Sequence, residues 1–130
     1  MGEGIVIDTG VIIAHLRAAG KIKTAFQEAI ERYSKCYISS ITAWEIEYGA
    51  CRAGRPSDLT DILGLVKVLP FDLEDARAAA KVHAELKSRN QEIGIRDVFI
   101  AGTCLANNLP LLTANVKHFR RVSELEVIES

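Results

Sequence analysis

Three carboxylates in this 130-residue chain stand at positions where burial of an unpaired charge would destabilise a globular fold. Asp8 directly follows a β-branched run at 5–7, which is typical of a strand buried on both faces. Asp97 opens the apolar stripe of a predicted helix at 96–107, where an unpaired carboxylate is costly. Glu45 shares a face with apolar residues on another predicted helix. If the three converge, like charges raise one another's pKa values, and a shared proton or a divalent cation must relieve the repulsion.

An all-oxygen cluster of this kind favours a hard cation, Mg²⁺ or Mn²⁺, over zinc. Such an ion holds water and clamps phosphoryl oxygens, which is the chemistry of phosphodiester hydrolysis. The interpretation assigns Asp8, Glu45 and Asp97 as catalytic residues and metal ligands. Simpler roles stay open: Asp8 can end a turn or cap a helix, Asp97 can cap its own helix, and Glu45 can pair with a basic side chain.

Predicted strands and helices alternate along the chain, as in α/β proteins whose parallel strands are joined by helical crossovers. Apolar runs predict strands at 5–7, 36–38, 66–69, 111–112 and 127–128. Helical spacing of apolar residues predicts helices at 22–33, 41–52, 72–86 and 96–107. The first stripe begins at Ile22, and the third includes Ala76, Ala80 and His83. We therefore expect one domain over 1–130, with a mainly parallel sheet and helices on both of its faces.

Small polar residues follow three of the predicted strands. Thr9 comes next to Asp8 after the first strand, Ser39 follows the second, and Thr113 and Asn115 follow the fourth. Ligands of open α/β sheets bind in the crevice beyond the carboxyl ends of the strands. We therefore expect Thr9, Ser39 and Thr113 to support the carboxylates, and Asn115 to join the catalytic group, although each residue type also favours turns and helix caps.

The formal net charge of −1 provides no overall field that would attract nucleic acid, so any RNA contact needs a local basic patch. The candidates are Arg52, at the end of the helix that carries Glu45, and the run that contains Lys117, His118 and Arg120. A solvated face is the simpler interpretation of that run. Trp44 is expected to contribute packing and not a platform for stacking bases.

The three cysteines, Cys36, Cys51 and Cys104, are far apart and form no CxxC pair, which argues against structural zinc and favours a reducing cytoplasm. The first residues lack the basic start and apolar run of a signal peptide, and no apolar run has the length of a membrane span. We therefore expect a cytoplasmic protein without a membrane segment.

Four segments together resemble the PIN-domain family, specifically the VapC-type toxins of prokaryotic toxin–antitoxin pairs. They are Val-Ile-Asp-Thr-Gly at 6–10, Ile-Thr-Ala-Trp-Glu-Ile-Glu-Tyr-Gly at 41–49, Asp-Val-Phe-Ile-Ala-Gly-Thr at 97–103 and Leu-Thr-Ala-Asn-Val-Lys-His-Phe at 112–119. The resemblance implies a three-layer α/β/α sandwich and an Mg²⁺- or Mn²⁺-dependent endoribonuclease that cuts single-stranded RNA. It also implies a homodimer and a VapB-like antitoxin whose C-terminal segment lies in a groove beside the active site. Asp8, Glu45 and Asp97 match the family's acidic residues, and Thr113 and Asn115 its supporting polar segment.

The chain departs from the family's pattern at one position. Many members carry a fourth acidic residue where this chain has Asn115 or His118, so a second metal ion and full activity are in question. One alternative is therefore a PIN-like module that binds RNA or a partner without catalysis. Another is a metal-dependent phosphatase with Asp8 as nucleophile, although that chemistry usually needs a second aspartate at the position of Gly10.

Overall fold

The computed structural model describes residues 3–130 and is built on a five-stranded sheet whose paired strands all run parallel. The strands are β1 (Gly4–Ile7), β2 (Lys35–Ser39), β3 (Lys67–Leu69), β4 (Leu111–Thr113) and β5 (Val127–Glu129). The predicted strands coincide with these to within two residues at each end. Their runs of apolar side chains reflect burial on both faces, since β1 and β4 are buried throughout.

Seven helices connect the strands of the described region. They are α1 (Thr9–Ala18), α2 (Ala25–Arg32), α3 (Ser40–Ala53), α4 (Asp58–Leu63), α5 (Leu73–Ser88), α6 (Ile95–Ala106) and α7 (Val116–Phe119). The four helices predicted from apolar spacing are confirmed as α2, α3, α5 and α6. The short α4 and α7 were not predicted, because one or two turns are too few to show a helical period.

Two separate hydrophobic clusters show that helices cover both faces of the sheet. Val6 and Leu111 point into a cluster that α5, α6 and α7 complete. Ile5, Ile7 and Leu112 point the other way, into a cluster completed by α1, α2, α3 and α4. Alternate side chains of each strand thus serve opposite faces. The predicted three-layer α/β/α sandwich with a parallel sheet is confirmed.

The strand order β3-β2-β1-β4-β5 creates a crevice at one point of the sheet. The chain moves from β1 outward through β2 to β3, then returns to place β4 on the other side of β1. The connections that leave β1 and β4 therefore run to opposite faces, and the carboxyl ends of these strands flank an opening, as at other topological switch points. The register pairs Val6 with Leu111 and Ile7 with Leu112, which sets Asp8 beside Thr113.

Two details of the predicted helix faces were wrong. Ile22 is 67% exposed and precedes α2, because Thr24 begins that helix with a capping box in which Gln27 returns the hydrogen bond. On α5 the residues Ala76 and Ala80 are exposed and His83 is only half-buried. The buried side chains of α5 are Asp75, Ala79, Val82 and Leu86.

The helices α5 and α6 pack closely because a glycine stands at their crossing. A Cβ atom added to Gly102 would lie 2.7 Å from both the Cβ and the backbone nitrogen of Ala79. No larger side chain fits there unless one helix moves.

The region 3–130 contains no helix with the length and apolar character needed to cross a membrane.

Candidate active site

Asp8 lies at the switch point, at the end of β1 and the start of α1. Its backbone nitrogen donates to the carbonyl oxygen of Leu112 at 2.9 Å, which ties it to β4. The amide of Thr9 donates to Oδ1 at 2.9 Å, and the Thr113 hydroxyl donates to Oδ2 at 2.7 Å. Asp8 is therefore the N-cap of α1, yet it is only 8% exposed. An N-cap residue at the protein surface needs only the hydrogen bond from its own helix. The additional hydrogen bond from Thr113 on β4 therefore distinguishes Asp8 from an ordinary cap.

Glu45 reaches the same edge from α3 and is held by two partners. The Thr9 hydroxyl donates to Oε1 at 2.6 Å, and Nη1 of Arg96 donates to Oε2 at 2.7 Å. The Glu45 side chain is 16% exposed, whereas that of Arg96 is 62% exposed. The simpler role left open for Glu45, pairing with a basic residue, is thus present, and the partner is the residue next to Asp97.

A series of hydrogen-bonded hydroxyl groups connects Glu45 to the end of β2. The Thr9 hydroxyl has one hydrogen, and it donates that hydrogen to Glu45. The Thr42 hydroxyl, whose oxygen lies 2.9 Å from the Thr9 oxygen, therefore donates to Thr9. By the same reasoning Ser39, 3.3 Å from Thr42, donates to it. Ser39 is also the N-cap of α3, because its hydroxyl accepts from the amide of Thr42 at 3.0 Å. Ser39 thus connects to Glu45 through Thr42 and Thr9, and its supporting role in the site stays a prediction.

Asp97 enters from the first turn of α6. Gly94 is the N-cap of that helix, so Asp97 does not serve as its cap. Its Oδ2 lies 3.6 Å from Nδ1 of His118. The same ring nitrogen lies 3.1 Å from Nδ2 of Asn115, whose backbone amide donates to the Thr113 hydroxyl at 2.9 Å. Asn115 and His118, the two positions at either of which the resemblance places a fourth acidic residue, thus sit beside Asp97 and are linked to the Thr113 hydroxyl that holds Asp8.

Burial raises the pKa values of both aspartates. The pKa of Asp8 is raised chiefly by loss of water, then by the negative charges of Asp97 and Glu45, against the hydrogen bonds from Thr113 and the Thr9 amide. Loss of water also raises the pKa of Asp97, and the charge of Glu45 adds to it, while His118 opposes the shift. The three carboxylates therefore interact electrostatically, as their predicted convergence requires.

This donor set fits a hard divalent cation. The oxygens of Asp8 and Asp97 are carboxylate ligands in a partly dry crevice, and a cation would relieve the repulsion that raises their pKa values. Within 3–130, no group of three or more His, Cys, Asp or Glu side chains is arranged as a cage that could hold a metal ion. Mg²⁺ does not need such a cage, because it usually keeps several waters and takes one or two carboxylates.

The raised pKa values predict how the metal-free protein responds to pH. Because the folded pKa of each aspartate lies above 3.8, each contributes stability that is present below 3.8 and lost as pH rises through the raised value. Asp8→Asn and Asp97→Asn remove this dependence. In chelator, each variant should therefore be more stable than the wild type at neutral pH, by a margin that shrinks on acidification, as measured by urea denaturation at several pH values. A margin independent of pH would contradict the assignment.

Three of the four residues predicted to contact RNA lie outside this group of carboxylates. Lys117 is exposed on α7, and Arg120 is exposed just after it. The guanidinium of Arg52 lies over the ring of Tyr48, 5.9 Å from its centroid, on the outer face of α3. Only His118 of the predicted RNA-contacting residues adjoins the acidic group.

The expectation that Trp44 packs in the interior was wrong. Its side chain is 53% exposed and stacks on Tyr48, which is exposed to the same extent. The inward face of α3 is formed instead by Thr42, Ile46 and Ala50. Trp44 lies one position before Glu45 and so falls on the neighbouring, outward side of the helix.

Two residues of the site were not singled out from the sequence. Thr42 lies one turn before Glu45 on α3, a spacing that places both on adjoining positions of one face. Arg96 directly precedes Asp97, but nothing in its spacing shows that it reaches across to α3. Only the packing of α3 against α6 brings these two helices close enough for the ion pair.

Comparisons with known proteins agree with the fold and with the order of the segments. The family model of the PIN domain matches residues 5–125. "Ribonuclease VapC" of Rickettsia bellii is 38% identical over 96% of this chain and 95% of its own length. "Ribonuclease VapC1" of Rickettsia felis is 33% identical over the same shares. The solved structure of VapBC-1 from nontypeable Haemophilus influenzae has a TM-score of 0.84 at 25% identity, covering 97% of both chains. The chain therefore belongs to the PIN-domain family and, within it, to the VapC-type proteins.

Proposed function

We propose that this protein is a metal-dependent endoribonuclease that hydrolyses phosphodiester bonds in single-stranded RNA, and that it is the toxin of a VapBC-type pair. The observation that carries the proposal is the approach of Asp8, Glu45 and Asp97 to one edge of the sheet, where Thr9 donates to both Asp8 and Glu45 and the three charges interact. The relatives named ribonuclease, at up to 38% identity among those compared, support the same activity.

Asp8 and Asp97, with help from Glu45, would hold Mg²⁺ or Mn²⁺. When bound, such an ion neutralises charge on phosphoryl oxygens and lowers the pKa of a coordinated water. Thr113 and the Thr9 amide fix the Asp8 carboxylate so that it need not reorganise on binding. Thr9 fixes Glu45 in the same way. Such preorganisation is where a fold contributes most to this class of reaction.

Asn115 and His118 take the place of the fourth carboxylate without its charge. The Asn115 amide and the His118 ring form one hydrogen-bonded pair beside Asp97. Neither side chain carries a negative charge, so the pair can orient water or a phosphate oxygen but adds nothing to the attraction for a second cation. We therefore expect one metal ion per site in the free protein, which calorimetric titration with Mn²⁺ would count.

The first test is cleavage of labelled single-stranded RNA by the purified protein with Mn²⁺, beside a chelator control. Cleavage that depends on the metal would support the nuclease. Folded protein that binds Mn²⁺ and RNA but cuts nothing would favour the non-catalytic module, for which the missing fourth carboxylate is the supporting observation. Turnover of a generic phosphate ester without RNA cleavage would favour the phosphatase.

Arg96 offers a separate test of Glu45 as a ligand. Its guanidinium competes with any cation for the Glu45 carboxylate at the exposed rim of the site. Ion pairs this exposed contribute little, so Arg96→Gln is expected to tighten Mn²⁺ binding by about two- to fivefold. Calorimetry on RNA-free protein measures this, with Arg89→Gln as the control, because Arg89 pairs with Glu85 elsewhere. Unchanged affinity would exclude Glu45 from the metal site.

The partner proposed for this toxin is a VapB-like antitoxin. An apolar groove of about 240 Å³ runs between α1 and α3 and ends at Glu45. Its walls include Leu16, Ile46 and Ala50, with Arg17 at one side and Arg55 paired with Asp58 at the other. A C-terminal antitoxin segment with apolar side chains would fit this groove and cover the carboxylates. Leu16→Arg should then break co-purification with an antitoxin expressed from the adjoining reading frame.

Two further expectations complete the proposal. We propose a homodimer, supported by the exposed side chains of Leu63, Leu65 and Val68 around the edge strand β3, and tested by sedimentation. We also propose a cytoplasmic location, because all three cysteines are free, two of them buried.

A further inference from the structure

Three side chains form a continuous stack on the outer face of α3. Trp44, Tyr48 and Arg52 follow one another at intervals of four residues, so each lies one turn above the last. The Trp44 and Tyr48 rings stack with centroids 5.9 Å apart and an angle of 25° between their planes. The Arg52 guanidinium lies 5.9 Å from the Tyr48 centroid on the next turn. We call these three residues the aromatic ladder.

The ladder leaves large apolar surfaces in water at the rim of the acidic site. Both rings are 53% exposed, although aromatic side chains are ordinarily mostly buried. The ladder begins at the residue before Glu45, and each step of four residues advances about 6 Å along the helix axis. It therefore forms a track that leads away from the carboxylates.

We propose that the aromatic ladder stacks bases of single-stranded RNA beside the cleavage site. This inference rests on the proposed ribonuclease function and adds the means of holding the substrate. Every base has a flat π-face, so a stacked aromatic surface binds single strands without sequence preference. Arg52 adds a planar cation that can stack on a base or pair with a backbone phosphate.

The combination of two stacked rings with an arginine favours single-stranded nucleic acid as the occupant of this surface. With a net charge of −1 and three carboxylates at its site, the protein has little general attraction for a polyanion. Attraction for RNA must therefore be local, and the ladder offers two flat rings and a cation next to Glu45. A second copy of this chain could bury the same rings, so the experiment must separate the two occupants.

Trp44 is the only tryptophan in the sequence, so its fluorescence reports on the ladder directly. The probe is a short single-stranded RNA, titrated into the Asp97→Asn protein in chelator to prevent cleavage. A matched oligonucleotide of the same length and charge, with abasic positions, serves as its control. We expect the normal RNA to quench the fluorescence and the abasic one to leave it nearly unchanged.

Substitutions then measure the contribution of each ring. Trp44→Ala and Tyr48→Ala should each weaken RNA binding by roughly tenfold, as expected for loss of one base–aromatic stack, measured by anisotropy of labelled RNA. Trp44→Phe keeps a ring and should retain most of the affinity. Ile22→Ala is the matched control, because Ile22 is an exposed apolar residue on a different surface, and should change nothing.

Each contrary result has a distinct meaning. Equal quenching by normal and abasic RNA, or unchanged affinity in Trp44→Ala, would overturn the ladder even if the wild type cuts RNA. Fluorescence that changes with protein concentration alone, together with loss of a dimer in Trp44→Ala, would assign the surface to a second copy instead. A wild type that cuts no RNA but shows base-dependent quenching would overturn the nuclease and leave the ladder as an RNA-binding surface.

Discussion

RNA cleavage is expected to fall by at least about a hundredfold in Asp8→Asn and in Asp97→Asn, since a bound cation lowers such barriers by several kcal/mol. Asparagine keeps the shape of each side chain and removes the charge that would hold the ion. For Asp8 the hydrogen bond from the Thr9 amide can persist, so the fold should remain intact. Initial rates on labelled RNA with Mn²⁺ measure the loss.

The matched control for these variants is Glu47→Gln. Glu47 lies two residues after Glu45 on α3, but it is exposed and carries no predicted role in the site. The Glu47→Gln substitution changes the net charge by the same amount as each aspartate variant and should leave the rate of cleavage unchanged. Circular dichroism confirms that each variant is folded. Full activity in both Asp8→Asn and Asp97→Asn would remove these residues from the catalytic centre.

The largest effect on stability is expected at Gly102. An added Cβ would lie 2.7 Å from the Ala79 backbone nitrogen and 2.8 Å from its Cα atom, and neither can move without shifting α5. Gly102→Ala should therefore lower the free energy of unfolding by about 1–3 kcal/mol, the range seen for overpacked cores. Urea denaturation measures it as a lower midpoint at constant slope.

Gly49→Ala supplies a control of opposite sign. Gly49 also lies inside a helix, but a Cβ atom added there meets nothing within 4 Å. Alanine is favoured over glycine in a helix interior by about 0.5–1 kcal/mol, so this variant should be more stable than the wild type. If Gly102→Ala also stabilised the protein, the close crossing of α5 and α6 would be contradicted.

The fold could be predicted because its patterns are strong. Each strand is an apolar run in the sequence. Because the parallel strands end at the same edge of the sheet, the polar residues that follow them come together at that edge. The meeting of Asp8 with Thr113 needs only the pairing of β1 with β4 in addition. The catalytic and metal-binding roles of Asp8, Glu45, Asp97 and Asn115 remain predictions that the experiments above address.

Other features depended on information that a linear pattern does not carry. The buried face of α5 was misplaced because that helix is rich in alanine, which fits equally well against a core or in water. The sequence therefore does not show which of its alanines face the core. The ion pair between Arg96 and Glu45 depends on how two helices far apart in sequence approach each other. The exposure of Trp44 was missed because hydrophobicity predicts burial only on average.

The pairing of the first strand with the fourth also determines how much of the chain must be made before the proposed site can form. Asp8 belongs to the opening residues, but the Thr113 hydroxyl that holds it and the strand that flanks it come more than a hundred residues later. Asp97, too, arrives only with α6. A growing chain on the ribosome therefore cannot complete the proposed site until β4 has been made. For a protein proposed to cut RNA, the topology itself postpones activity until the fourth strand has been synthesised and has paired with the first.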